Sequence, residues 1–193
     1  MAVTTVEDTK ALERFILLVL GAAPQKISLL HLEKEVFLLW NFHPYIQKYI
    51  QFVRHYRGPY SSEIRETIEH PFYLTGLWQI THRRRGDGIS GGDITLTSDG
   101  RNEYERLYAV LLQHSQMRDL LTGIRIVRDV YDEFDEEELL LLFYNTYPDY
   151  REYSEVAIPI YQKRQEIADR MLKKNLIDID RYNDLVLEEV WSQ

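Results

Sequence analysis

The chain has 193 residues, no cysteine and a formal net charge of −8, so disulfides, thiolate metal sites and cysteine nucleophiles are excluded. Residues 1–100 carry eleven Lys/Arg and eleven Asp/Glu, whereas residues 101–193 carry twelve and twenty; because an acidic surface repels phosphate, we expect any nucleic-acid contact to use a local patch in the neutral part. No apolar run approaches the roughly 20 residues that span a bilayer. The N-terminal segment is acidic, whereas a signal peptide begins with basic residues. We therefore expect a cytoplasmic protein without membrane contact.

Helix-start signals mark two helices at the beginning of the chain. Thr4-x-x-Glu7 has the capping-box pattern and predicts a first helix that ends at Gly21. Ser28 is a natural N-cap for a second helix. The apolar positions of this second helix repeat at core spacing and are Leu29, Leu32, Val36 and Leu39.

A strand, a turn and a short helix are predicted next. The segment Phe52–Tyr56 alternates like a strand, and the pair Gly58-Pro59 is predicted to stop it. Ser61 or Ser62 then predicts the N-cap of a short helix that runs to about His70.

The segment Leu77–Leu107 contains two alternating runs around a basic, glycine-rich turn. Leu77–Thr81 and Asp93–Thr97 alternate apolar and polar residues, which predicts two strands. Thr97 or Ser98 is then placed to cap a helix. The order strand, turn, strand and helix is typical of the wing of a winged-helix domain. The short helix after Ser61 then takes the place of the recognition helix of such a domain.

After about residue 116 every predicted element is a helix. The first has an apolar stripe of Leu120, Leu121, Ile124, Val127, Val130 and Tyr131. The pattern Asp135-x-x-Glu138 predicts a capping box for the next helix, which Tyr147-Pro148 ends. Two further helices are predicted over residues 159–174 and 180–191.

These elements predict an α+β, mostly helical protein. We expect a winged helix-turn-helix domain over residues 1–116, followed by an all-α extension over residues 117–193 that packs on this domain or dimerises. Because winged-helix proteins often dimerise through appended helices, a homodimer stays open by analogy of fold alone.

No motif in the chain favours catalysis, a cofactor or a metal. Gly86-x-Gly88-x-x-Gly91 matches the dinucleotide fingerprint only in letters, because a predicted strand rather than a helix follows it. The acidic run Asp132–Glu138 lacks the calcium-loop pattern and fits helix capping. No two histidines have the sequence spacing that is typical of metal ligands. We therefore expect no catalytic residue, no cofactor site and no metal site.

A basic run occupies the tip of the predicted wing. Such side chains can lie against a phosphate backbone or enter a minor groove, where the potential is negative. The alternative is a solvated turn whose charges serve solubility alone. The candidates for nucleic-acid or partner contact in this run are His82, Arg83, Arg84 and Arg85.

The short helix after Ser61 has an acidic outward face. Ile64 and Ile68 are spaced i, i+4 and are predicted to face inward. The outward face is then formed by Glu63, Arg65, Glu66 and Glu69. Three carboxylates with one cation oppose docking against phosphates in a major groove. This face therefore favours a protein partner over DNA.

The turn that precedes this helix, Arg57–Ser61, is a second candidate for partner contact. Arginine and tyrosine often anchor protein interfaces, so Arg57 and Tyr60 are the candidate residues. The alternative is a structural turn in which Tyr60 packs on the core.

Three segments of the first 107 residues are similar to parts of a known family. They are the helix Leu30–Leu38, the turn Tyr56–Ser61 with the letters YRGPYS, and the strand-to-helix exit Ile94–Arg101. In these segments the chain resembles the Panacea antitoxin-type domains and related winged-helix proteins of prokaryotes. The resemblance implies a protein that neutralises or regulates a partner protein, often one encoded beside it, and it does not imply an enzyme.

We therefore expect a non-enzymatic, winged-helix, antitoxin-like regulatory protein that acts mainly by binding a partner protein. The alternative is a DNA-binding transcriptional regulator that uses the basic wing. The two expectations differ in salt dependence, because contacts with phosphate weaken steeply as salt rises.

Overall fold

Helices make up most of the computed structural model, which describes residues 5–55, 57–81, 91–152 and 154–187. The helices are α1 (Val6–Gly21), α2 (Leu29–Phe42), α3 (Ser62–Glu69), α4 (Ser98–Leu111), α5 (Ser115–Tyr131), α6 (Glu136–Thr146), α7 (Ala157–Gln162), α8 (Arg164–Lys173) and α9 (Ile179–Val186). The strands are β1 (Ile27–Ser28), β2 (Val53–His55), β3 (Gly58–Tyr60), β4 (Trp78–Thr81) and β5 (Asp93–Leu96). The predicted mostly helical composition with a small sheet is therefore confirmed.

The chain forms two compact units, and the second draws on two separate stretches of sequence. The first unit contains Met1–Phe52 and Ser61–Tyr131, and the second contains Val53–Tyr60 and Asp132–Gln193. Residue 116, where the sequence predicts a boundary, lies in the first turn of α5, which belongs to the first unit. The second unit begins after α5 and also includes β2 and β3.

Most helix caps agree with the sequence, and one is shifted. The side chains of Ser28, Ser61, Thr97 and Asp135 accept hydrogen bonds from backbone N–H groups of α2, α3, α4 and α6, as predicted. The predicted Thr4-x-x-Glu7 box at α1 is wrong by one residue. The Thr5 hydroxyl accepts from the Asp8 N–H at 3.2 Å, and the Asp8 carboxylate accepts from the Thr5 N–H at 2.9 Å. Thr4-x-x-Glu7 and Thr5-x-x-Asp8 overlap in the sequence, and the second of these two patterns forms the capping box.

In the first unit, β4 and β5 form the antiparallel pair that the alternation predicts. Trp78 lies opposite Leu96, and Ile80 lies opposite Ile94. The two-residue strand β1 pairs with the other edge of β5, which places Ile27 opposite Ile94. Sequence alternation could not reveal β1, because two residues are too few to show a period.

The helices of the first unit enclose an apolar core to which α1 contributes most of its length. Gly21, the last residue of α1, lies against the ring of Tyr104 on α4, and a Cβ at this position would overlap that ring. Arg101 donates to the carbonyl oxygens of Gly21 and Ala23 and so satisfies the end of α1. These contacts hold the C-terminal end of α1 against α4.

The apolar stripe of α5 is confirmed in part. Leu120, Leu121 and Ile124 are buried, whereas Val130 is 49% exposed. The Arg128 side chain is fully buried, and its Nη1 lies 3.5 Å from Oε2 of the buried Glu35. The prediction that Val130 lies on the inner stripe is therefore wrong. Arg128, which is paired with the buried Glu35, takes an inner position on α5 instead.

In the second unit, β2 and β3 form an antiparallel hairpin. His55 pairs with Gly58, and Val53 pairs with Tyr60. The predicted strand is observed as β2, which ends before Gly58-Pro59. Gly58 and Pro59, predicted as a turn, instead lie in the paired strand β3. Gly58 has a φ of 87°, which glycine adopts without strain, so the chain turns there and returns as a paired strand.

The helices of the second unit surround the apolar helix α6. The Tyr144 hydroxyl lies 2.6 Å from the Ser154 hydroxyl, and both side chains are buried. Burial raises the pKa of Tyr144 to about 12. The helix predicted over residues 159–174 is divided at Lys163 into α7 and α8.

Candidate partner-binding surface

Helix α3 is held by its inner face, which determines the residues that it exposes. Ile64 and Ile68 are fully buried, as their spacing predicts. The Trp78 indole donates from Nε1 to the carbonyl oxygen of Ile68 at 3.1 Å. Ser61 accepts from the Ile64 N–H and so fixes the first turn. The opposite face of the helix therefore has a defined direction.

The outward face of α3 carries more negative than positive charge. Arg65 forms an ion pair with Glu69, with 2.9 Å between Nε and Oε1. Glu63 accepts from the hydroxyls of Ser61 and Ser62 at 2.8 and 3.2 Å. The side chain of Glu66 is exposed. Because Arg65 is already paired, Glu63 and Glu66 have no compensating cation on their own helix.

An open recess of about 400 Å³ lies between α1 and α3. Its walls are formed by Thr9, Leu12, Ser62, Glu63, Glu66 and Thr67. Hydroxyls, two carboxylates and one leucine thus surround a single concave surface. This combination suits a long cationic side chain, whose aliphatic stem packs on apolar surface while its head meets a carboxylate.

A buried carboxylate joins α1 to the loop that follows α3. Glu13 is 1% exposed and accepts from three backbone N–H groups. The Phe72 N–H lies 2.6 Å from Oε1, the Leu74 N–H lies 2.7 Å from Oε2, and the Tyr73 N–H approaches both oxygens. Sequence reasoning missed this anchor. A signal was present, because Glu13 precedes Ile16 and Leu17 by three and four positions and so lies on the inner face of α1.

Arg57 and Tyr60, the other predicted contact residues, belong to the second unit. Arg57 lies at the turn between β2 and β3, and both side chains are half-buried. The Tyr60 ring stacks on the His55 ring across the hairpin, with 4.5 Å between the ring centroids. The structure thus assigns the two groups of predicted contact residues to different units.

The basic run at the predicted wing tip lies outside the described residues. His82, Arg83, Arg84 and Arg85 follow directly after β4 in the sequence. Their contact with nucleic acid or a partner stays a prediction.

No protein-family model matches the chain, and a comparison with curated proteins found no match. The resemblance to the Panacea antitoxin-type domains therefore stays a prediction. Among the described residues, no group of three or more His, Asp or Glu side chains is arranged to hold a metal ion. Within the same ranges, no helix has both the length and the apolar character needed to cross a membrane.

Proposed function

We propose that this chain is a non-enzymatic, winged-helix, antitoxin-like regulatory protein that binds a partner protein at the recess between α1 and α3. Within the first unit, whose sequence is interrupted by β2 and β3 of the second unit, the order α1, β1, α2, α3, β4, β5 supports the winged-helix assignment. In this order α3 takes the position of the recognition helix, and the antiparallel pair β4–β5 takes that of the wing strands.

The observation that carries the proposal is the charge of the recess. Glu63 and Glu66 line it, and the nearby Arg65 is paired with Glu69. A phosphate backbone would meet uncompensated carboxylates there, which costs free energy. A lysine or arginine of a protein partner would instead gain charge-assisted hydrogen bonds. The partner surface is therefore expected to present a cationic side chain.

Affinity capture from the native host tests this proposal. The full chain serves as bait, in its natural form and as the Glu66→Lys variant. Glu66 is exposed, and its carboxylate makes no ion pair with any described residue, so we expect the substitution to leave the fold intact. Glu105→Lys is the matched control, because Glu105 is an exposed residue of α4 that does not line the recess.

The natural chain and Glu105→Lys should recover the same protein in stoichiometric amount, and Glu66→Lys should lose it. Like charges brought together across an interface cost several kcal/mol. With the purified partner, we expect the Kd of Glu66→Lys to rise at least tenfold, which corresponds to about 1.4 kcal/mol. Equal recovery by both variants, or no stoichiometric protein at all, would contradict the proposal.

A DNA-binding regulator is the second candidate, favoured by the three consecutive arginines that follow β4. If the wing binds duplex DNA, the logarithm of the affinity should fall linearly with the logarithm of salt concentration. Replacing Arg83, Arg84 and Arg85 by alanine should then lower that slope by up to about three. Salt-insensitive or absent binding at modest ionic strength contradicts this alternative.

A further inference from the structure

A cavity of about 310 Å³ lies on the opposite side of α1 from the recess. The α1 residues that face it follow one stripe, which includes Ala11, Phe15 and Leu18, whereas Thr9 and Leu12 face the recess. Leu107 of α4 and Leu120 of α5 complete a buried apolar floor. Every residue of this cavity belongs to the first unit.

Two tyrosines give one wall of the cavity a polar edge. Tyr45 and Tyr49 pack edge to face, with 5.1 Å between their ring centroids. A hydrogen bond with Tyr45 raises the pKa of Tyr49 to about 12, and burial adds to this effect. The Tyr49 hydroxyl is therefore neutral near pH 7, and a tyrosine hydroxyl can donate or accept hydrogen bonds.

The two charged residues of the cavity differ in their state of pairing. Glu7 forms an ion pair with Lys10 at 3.3 Å. Arg14 is exposed and makes no hydrogen bond or ion pair with any described residue. Its charge also acts on Glu103, whose pKa is lowered first by a hydrogen bond with Arg106 and further by the charges of Arg106 and Arg14. The guanidinium of Arg14 is thus available to an anion.

We propose that this cavity binds a small amphipathic carboxylate, whose aliphatic or aromatic body fills the apolar floor and whose carboxylate pairs with Arg14. Arginine binds carboxylates through two parallel N–H donors, which fix the orientation of the carboxylate. A volume of about 310 Å³ lies at the small end of the range for ligand pockets. The buried floor of Leu107 and Leu120 gives this cavity the apolar interior typical of small-molecule sites, so the occupant is a small molecule. The site shares no lining residue with the recess and does not depend on the partner proposed there.

Calorimetric titration of the full chain tests this site with three probes. Decanoate and 2-naphthoate offer an aliphatic and an aromatic body with the same anionic head, and decylamine has an aliphatic body with a cationic head. We expect saturable one-site binding of at least one carboxylate and at least tenfold weaker binding of decylamine. If neither carboxylate binds saturably, or if decylamine binds as tightly as decanoate, the assignment is overturned.

Two variants and a control connect the binding to the cavity. Arg14→Gln should raise the Kd of the carboxylate by up to about fivefold, because an ion pair with an exposed side chain contributes up to about 1 kcal/mol. Ala11→Leu should weaken it by filling the cavity. The control, Arg125→Gln, removes an exposed cation of α5 that does not line the cavity and should leave the Kd unchanged. An unchanged Kd for Arg14→Gln would overturn the assignment, and thermal unfolding of each variant verifies that it is folded.

Discussion

Replacing Glu13 by glutamine should destabilise the first unit, although the two side chains have nearly the same shape. The carboxylate of Glu13 accepts from the backbone N–H groups of Phe72, Tyr73 and Leu74 with both oxygens. A glutamine has one acceptor oxygen, and its NH₂ group would face at least one of these donors. Each hydrogen bond to a charged group contributes about 1.5–3 kcal/mol, and an unsatisfied buried donor costs about 1–3 kcal/mol.

The net cost is smaller than the sum of these values, because glutamine avoids the desolvation of a buried charge. We expect Glu13→Gln to lower the free energy of unfolding by about 2–3 kcal/mol. Glu7→Gln is the matched control on the same helix. The Glu7 side chain is 78% exposed and its pair with Lys10 lies at the surface, so its loss should cost well under about 1 kcal/mol.

Urea unfolding followed by circular dichroism measures both variants, and hydrogen exchange measures the amides of Phe72, Tyr73 and Leu74 directly. Exchange is needed because a chain with two compact units can unfold in more than one step. Protection at these three amides should fall in Glu13→Gln and remain in Glu7→Gln. If both variants lose the same free energy, or if protection is unchanged in Glu13→Gln, the carboxylate does not hold this loop.

Three further predictions concern the glycines and a buried tyrosine. Gly100→Ala should lower the free energy of unfolding by about 1–3 kcal/mol or more, because the added Cβ would overlap the Leu77 carbonyl oxygen. Gly123→Ala should instead raise it by about 0.5–1 kcal/mol, because the added Cβ would make only ordinary van der Waals contacts in α5. Thermal unfolding distinguishes these opposite effects. Tyr144→Phe should cost about 1 kcal/mol in urea unfolding, because it removes the hydrogen bond with Ser154. Burial raises the pKa of Tyr144 from 10.0, its value in the unfolded chain, to about 12 in the folded protein. The contribution of neutral Tyr144 to the free energy of unfolding is therefore complete below pH 10 and is lost as the pH rises towards 12. Stability should therefore decline between these pH values, and less so in Tyr144→Phe.

The features that depend on neighbouring residues were predictable from the sequence. An N-cap needs an acceptor only three positions before its N–H partner, so Ser28, Ser61 and Thr97 could be identified as caps. The alternation of residues 77–81 and 93–97 identified the pair β4–β5 for the same reason. The register at Thr5 was ambiguous, because two capping patterns overlap there.

The features that depend on residues far apart in the sequence were not predictable. Nothing around Ile27 indicates that it pairs with Ile94. Nothing in residues 53–60 indicates that they belong with the helices after Tyr131. The division of the chain into units follows from such distant contacts, whereas composition and periodicity report only on local structure.

The burial of Glu13 and Arg128 was predictable in part from the sequence, and the same is true of the candidate site. A charged residue at core spacing predicts a buried partner, because a buried charge is costly unless it is paired. The spacing does not identify that partner, which is a set of backbone N–H groups for Glu13 and includes a carboxylate for Arg128. On α3, the burial of Ile64 and Ile68 determines which residues face outward, so the acidity of that face could be inferred from eight residues. The recess beside it requires two residues of α1, which lie more than forty positions earlier. The charge of the candidate site was therefore predictable from the sequence, whereas its concave shape required the fold.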